Sequence, residues 1–181
     1  QAIADNGLPI LVTGHPYPRK LSDEEIVVLR CPVSRFISAF YYGQKYWKNR
    51  INVQFENADE LASSAADPDH PKHALAWIEL GNLPEHFLLR NGKEVPQHTV
   101  ASRVTDFSWI YEPQSSWLIN NPAHVLRYSH LSEDFAALLR ETGLSGDFEL
   151  PRTNQSEGRS EELSAESLAF LERTYAADFE Y

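Results

Sequence analysis

Apolar positions along the chain follow two periods. Residues 8–13 (LPILVT) form a short apolar run ending in Gly14, His15 and Pro16, which predicts a buried strand entering a loop. Residues 26–29 (IVVL) are continuously apolar and rich in β-branched side chains, the pattern of a strand covered on both faces, as in parallel sheets. Arg30 and Cys31 then lead to Pro32, a residue suited to the first turn of a helix. From Val33 to about Trp47 the period becomes helical. Val33, Phe36, Ile37, Phe40 and Trp47 fall on one side, and Ser34, Arg35, Ser38, Tyr42 and Lys45 on the other.

Residues 57–69 read as a helix followed by a loop, 73–80 (HALAWIEL) as a helix, and 83–89 as another stopped by Asn91-Gly92. Residues 96–114 carry no consistent period. Residues 125–128 predict a third strand. Ser132 is the expected N-cap of a helix whose stripe is Leu131, Phe135, Leu138 and Leu139, with Gly143 as its stop. After a polar loop over 151–162, a last helix starts beyond Ser164 and buries Leu168, Leu171 and Tyr175. Strands alternating with helices, without repeats, predict one α/β domain over residues 1–181.

Charge narrows the choice of function. With 16 basic and 26 acidic residues, net −10, the chain lacks the excess of Lys and Arg that sequence-blind binding of nucleic acid requires. The apolar fraction of 42% excludes wholesale disorder. One cysteine permits no internal disulfide, and no apolar run approaches the ~18 residues of a membrane span. No cleavable signal sequence is visible. A first residue of Gln1 and the absence of methionine lead to the expectation that the true start lies upstream and that internal segments could be missing.

The chemistry concentrates in residues 28–42, VLRCPVSRFISAFYY. Arg30 follows a strand, where open α/β sheets place their ligands, and a helix with its positive dipole end begins at once. Ser38 lies eight residues further on, on the polar side of that helix. An arginine fork with a hydroxyl suits a terminal phosphate. A structural salt bridge at a strand end explains Arg30 equally well. Ser34, Arg35 and Ser38 would then be an ordinary solvated helix face.

Arg30, Pro32, Arg35, Ser38, Phe40 and Tyr41 spell R-x-P-x-x-R-x-x-S-x-F-Y, which resembles the 3′-phosphate motif of sulfotransferases that use 3′-phosphoadenosine 5′-phosphosulfate (PAPS). Residues around His15 (LVTGHP), Pro113-Gln114 with Trp117-Leu118, residues 124–144, and the ending from Tyr175 to Tyr181 resemble further segments of the carbohydrate-type branch, in the same order. The resemblance implies a three-layer P-loop-like fold, with a central, mostly parallel sheet flanked by helices. It implies sulfuryl transfer from PAPS to a hydroxyl of a carbohydrate or other small acceptor, leaving adenosine 3′,5′-bisphosphate and needing no metal. Arg30 and Ser38 would hold the 3′-phosphate, Arg159 would reach the nucleotide from a C-terminal loop, and His15 would act as general base.

One part of the family pattern is absent. None of the eight glycines forms the P-K-x-G-[ST] loop for the 5′-phosphosulfate. Pro71-Lys72 lacks the glycine, and Gly92-Lys93 lacks the first glycine of a P-loop. The loop and its strand are expected upstream of Gln1. A cytoplasmic, bacterial enzyme is favoured, with a membrane-anchored lumenal one left open. The rival readings are a P-loop phosphotransferase and a non-catalytic nucleotide- or partner-binding module. Among other residues, His70 and His73 could share a helix face but make a poor metal site. Cys31 is expected buried beside the nucleotide loop. Arg152 reads as solvated, and residues 23–25 and Glu161-Glu162 as solvated acidic turns. Of Trp47, Trp77, Trp109 and Trp117, at most one would meet a sugar ring.

Overall fold

The structure is a computed structural model and describes residues 26–46, 51–81, 108–118, 122–144 and 161–181. Its regular elements are β1 (Ile26–Leu29), α1 (Pro32–Tyr46), α2 (Ala58–Ala66), α3 (His73–Glu79), β2 (His124–Arg127), α4 (Leu131–Glu141) and α5 (Ala165–Thr174). Short 3-10 turns lie at Ile51–Gln54, Ser108–Tyr111, Gln114–Leu118, Tyr128–His130 and Ala176–Glu180. The expected strand over residues 8–13, the helix over 83–89 and Trp47 fall outside the described residues. The chain divides into two units: Gln1–Cys31 with Gln114–Gln155 and Tyr181, and Pro32–Pro113 with Ser156–Glu180.

In the first unit β1 and β2 pair in parallel, with Ile26 opposite His124 and Leu29 opposite Arg127. Together with the helices this is an α/β arrangement and the pairing is parallel, but among the described residues β1 is not covered on both faces as expected. Val27 and Leu29 are buried, Ile26 is half-buried and Val28 is exposed, as is Val125 of β2. β2 runs one residue earlier than expected: it starts at His124, opposite Ile26, and stops at Arg127 because Tyr128 leaves the ladder for a 3-10 turn. α4 packs Phe135, Leu138 and Leu139 onto Leu126, with Ile26, Leu131 and Leu144 around them.

α4 starts before Ser132, so the expected serine cap is not used. His130 occupies the cap position without a side-chain bond to the helix backbone, its Nδ1 lying 3.3 Å from Glu133 Oε2. Asp134 in the first turn instead turns back to Arg127, accepting from its backbone N–H at 2.8 Å and from its guanidinium at 2.8 and 3.0 Å. The helix stops as expected. Gly143 has φ +72°, Leu144 N–H donates to Leu139 C=O at 2.8 Å, and Gly143 N–H donates to Arg140 C=O at 3.3 Å. This is a Schellman ending, and Leu144 completes it by packing on the same apolar cluster.

The second unit surrounds a larger core. Phe36, Ala39 and Phe40 of α1, Ala58, Leu61, Ala62 and Ala65 of α2, and Phe170 and Leu171 of α5 are all buried in one cluster with Phe55 and Tyr175. The small residues of α2 let neighbouring helices approach closely. Asn57 caps α2 by accepting from Glu60 N–H at 2.7 Å, and Ser164 caps α5 by accepting from Ser167 N–H at 3.2 Å. The buried stripe of α5 is Ser167, Phe170 and Leu171, with Leu168 half-buried rather than in the core. A serine can sit there because its hydroxyl donates to Asp59 C=O at 3.2 Å. Trp77 packs edge-on against Phe170 at 5.9 Å between ring centres, which makes it a packing residue.

Candidate functional site

Arg30 begins where the ladder ends. Leu29 has Arg127 as its partner, and the next backbone group has none in β2. The carboxamide of Gln114 takes that place. Gln114 Oε1 accepts from Arg30 N–H at 2.9 Å, and Gln114 Nε2 donates to Arg30 C=O at 2.6 Å. Gln114 is 3% exposed, so both bonds are shielded from water. The Arg30 guanidinium lies over the Tyr128 ring, 4.8 Å from its centre. Tyr128 itself is exposed. A cation held over an accessible aromatic face beyond a parallel strand is a suitable receptor for an anionic ligand.

In the second unit α1 opens on Pro32, whose missing N–H costs nothing at the first helical position. Its first turn carries no acidic residue, so no carboxylate within that turn offsets the positive end of the helix dipole. Ser38 is half-buried on this helix. Arg35 departs from the solvated face expected of it. It is half-buried, and Nη1 donates to Glu112 C=O at 2.6 Å. Desolvation lowers its pKa, opposed by Tyr175, Asp178 and Glu112 nearby. A guanidinium stays charged through such a change. The Tyr175 hydroxyl donates to Tyr111 C=O at 2.7 Å, and burial pushes its pKa upward. Arg35 thus joins α1, the turn at Ser108–Tyr111 and the C-terminal turn from within.

Glu161 is likewise not a solvated acid. Its Oε2 accepts from Tyr41 OH at 2.7 Å and its Oε1 from Asp59 N–H at 3.0 Å. Asp59 Oδ1 in turn accepts from Ser164 N–H at 2.8 Å and Oγ at 2.9 Å. Burial would raise the Asp59 pKa, but the bonds from Ser167 and Ser164 outweigh it and hold the carboxyl below its ordinary value. These contacts fasten the entry of α5 to α1 and α2.

Of the residues the sequence singles out, Arg30 and Ser38 are described, one in each unit, with the division falling between Cys31 and Pro32. His15, Arg159, Arg152 and residues 23–25 lie outside the described residues. Cys31, expected to be buried, is exposed, because it occupies the short link after the strand rather than a covered face. His70 and His73 do not share a helix face. His70 precedes α3 and accepts at Nδ1 from Lys72 N–H at 3.1 Å, while His73 Nδ1 is 3.0 Å from Ser64 C=O. The ammonium of Lys72 pairs with Glu60 and donates to Gln54 C=O at 2.7 Å, so Pro71-Lys72 is committed to structure rather than to a phosphate loop. Among the described residues no group of three His, Cys, Asp or Glu could hold a metal ion, and no helix is long and apolar enough to cross a membrane. The structural roles of Gln114, Arg35 and Glu161 are not read from sequence; the available signals are the motif position of Arg35 and the Pro113-Gln114 segment.

Residues 14–181 match the family model described as the sulfotransferase family. No curated protein and no solved structure matches the chain.

Proposed function

The chain belongs to the sulfotransferase family, whose chemistry is sulfuryl transfer, and on that premise we propose that PAPS is its donor and a carbohydrate hydroxyl its acceptor. The domain would be a three-layer P-loop-like fold around a mostly parallel sheet. Arg30 and Ser38 take the 3′-phosphate, Arg159 adds a second cation toward the nucleotide, and His15 accepts the proton of the attacking hydroxyl. The observation that supports this reading best is the two-point hold of Gln114 on the Arg30 backbone, with the guanidinium laid over an exposed tyrosine.

Sulfuryl transfer, like phosphoryl transfer, asks the protein for little covalent chemistry. Positioning and stabilisation of charge on the leaving oxygens dominate. Arg30 supplies a permanent, planar cation that matches phosphate oxygens in pairs. A histidine with an ordinary pKa of ~6.5 is mostly neutral at pH 7 and can take up a proton, a contribution of ~10²–10⁴-fold.

Calorimetry with adenosine 3′,5′-bisphosphate tests the reading. Arg30→Ala should weaken binding by about 1.5–3 kcal/mol, the worth of a hydrogen bond to a charged group. Equal affinity in both proteins overturns the phosphate assignment. His15→Ala should lower turnover by about 10²-fold or more with nucleotide affinity kept. Normal turnover removes His15 from the mechanism.

A further inference from the structure

We infer that Gln114 is a positioning residue for nucleotide selection: by bonding both backbone groups of Arg30, it sets the direction of the arginine and so the preference for a ligand carrying a 3′-phosphate. The inference rests on the proposed role of Arg30. It concerns a residue 84 positions away in sequence.

A carboxamide has the donor and acceptor of a peptide unit. Gln114 uses both against one residue, as two strands do when opposed residues exchange N–H and C=O. The bonds bracket the Arg30 Cα, one on each side. They therefore restrain φ and ψ at that residue and with them the Cα–Cβ direction. The Tyr128 ring then meets the far end of the same side chain. An arginine held at root and tip loses less freedom when it grips a phosphate, and that saving appears as affinity. Backbone pairing alone would need no side chain of this length here, since a following strand residue would serve. Gln114 is itself 3% exposed, which keeps both bonds from exchanging with water.

The experiment compares two ligands on the full chain, adenosine 3′,5′-bisphosphate and adenosine 5′-monophosphate. Their affinity ratio isolates the 3′-phosphate. Gln114→Leu should lower this ratio by about three- to ten-fold, the range for losing neutral hydrogen bonds, with the monophosphate affinity changed less than about two-fold. Gln114→Glu keeps an acceptor for Arg30 N–H but has no donor for its carbonyl, and should lower the ratio in the same direction while preserving a polar side chain in the site. In an Arg30→Ala background, Gln114→Leu should lower the ratio no further, because the two act as one unit. If both Gln114 variants leave the ratio unchanged while Arg30→Ala collapses it, the positioning role is refuted and the phosphate role stands. A ratio unaffected by Arg30→Ala refutes the phosphate role itself. Loss of both affinities in equal proportion, or of cooperative unfolding in both Gln114 variants, assigns Gln114 to general structure and refutes the inference.

Discussion

The unit containing α1, α2, α3 and α5 closes around Phe40, Phe55, Leu61 and Leu171, none more than 2% exposed. The unit containing β1, β2 and α4 rests, among the described residues, on the smaller cluster of Leu126, Phe135, Leu138 and Leu139. It is also fastened by directed bonds: Gln114 to the Arg30 backbone, Asp134 to the Arg127 backbone and side chain, and the carbonyl-capping turn at Gly143. The larger unit is fastened likewise by the bonds of Arg35, Tyr175, Asp59 and Glu161. Burial of apolar surface is non-directional and gives stability, whereas hydrogen bonds are angular and give orientation. The two units thus differ in the size of their apolar clusters, and in the smaller one directed bonds converge on the strand-end residues Arg30 and Arg127.

The comparison can be broken first at the cores. Phe40→Ala should cost about 3–5 kcal/mol in urea denaturation, since its side chain is fully enclosed. Leu138→Ala, in the smaller cluster, should fall near the low end of the range for such truncations, about 2 kcal/mol. Equal losses would mean that the two cores carry equal weight. A smaller effect tests the turn after α4. Gly143→Ala places a Cβ with no atom within 4 Å, so crowding is absent and only the left-handed backbone at φ +72° resists it. The expected loss is about 1 kcal/mol by thermal or urea unfolding. No loss would show that the turn can be rebuilt without a left-handed residue.

The smallest effect is electrostatic. The Asp134 carboxyl is held down to about 2, first by the bond from the Arg127 side chain and then by its backbone N–H. A depressed folded-state pKa means that this contribution is present above the unfolded value of ~3.9 and fades as pH falls toward about 2. Carboxyl NMR titration should place its midpoint near 2 in the native protein and closer to ~3.9 in Arg127→Ala. A midpoint unchanged by that substitution would remove the ion pair from the account. Because Arg127 is exposed, high salt should weaken the pairing.

Local features of the fold were legible and distant ones were not. β1, the start of α1, the start of α5 after Ser164 and the Gly143 stop each depend on a few consecutive residues. The reading of α5 chose Leu168 over Ser167 because hydrophobic periodicity has no way to see that Asp59 C=O satisfies the serine. Arg35 was placed on a solvated face because its acceptor, Glu112 C=O, lies 77 residues away. The same holds for Glu161, whose partners are on α1 and α2. Arg30 and Ser38 stood out through a motif, yet the side chain that holds Arg30 from behind did not. Gln114 is marked only within the Pro113-Gln114 and Trp117-Leu118 resemblance, which gives it no role until the fold brings it to a strand end.

Cys31 offers a practical handle. With no methionine and one cysteine, this sequence contains a single sulfur atom, and it is exposed beside Arg30. A thiol-reactive fluorophore on Cys31 would turn the link between strand and helix into an optical reporter.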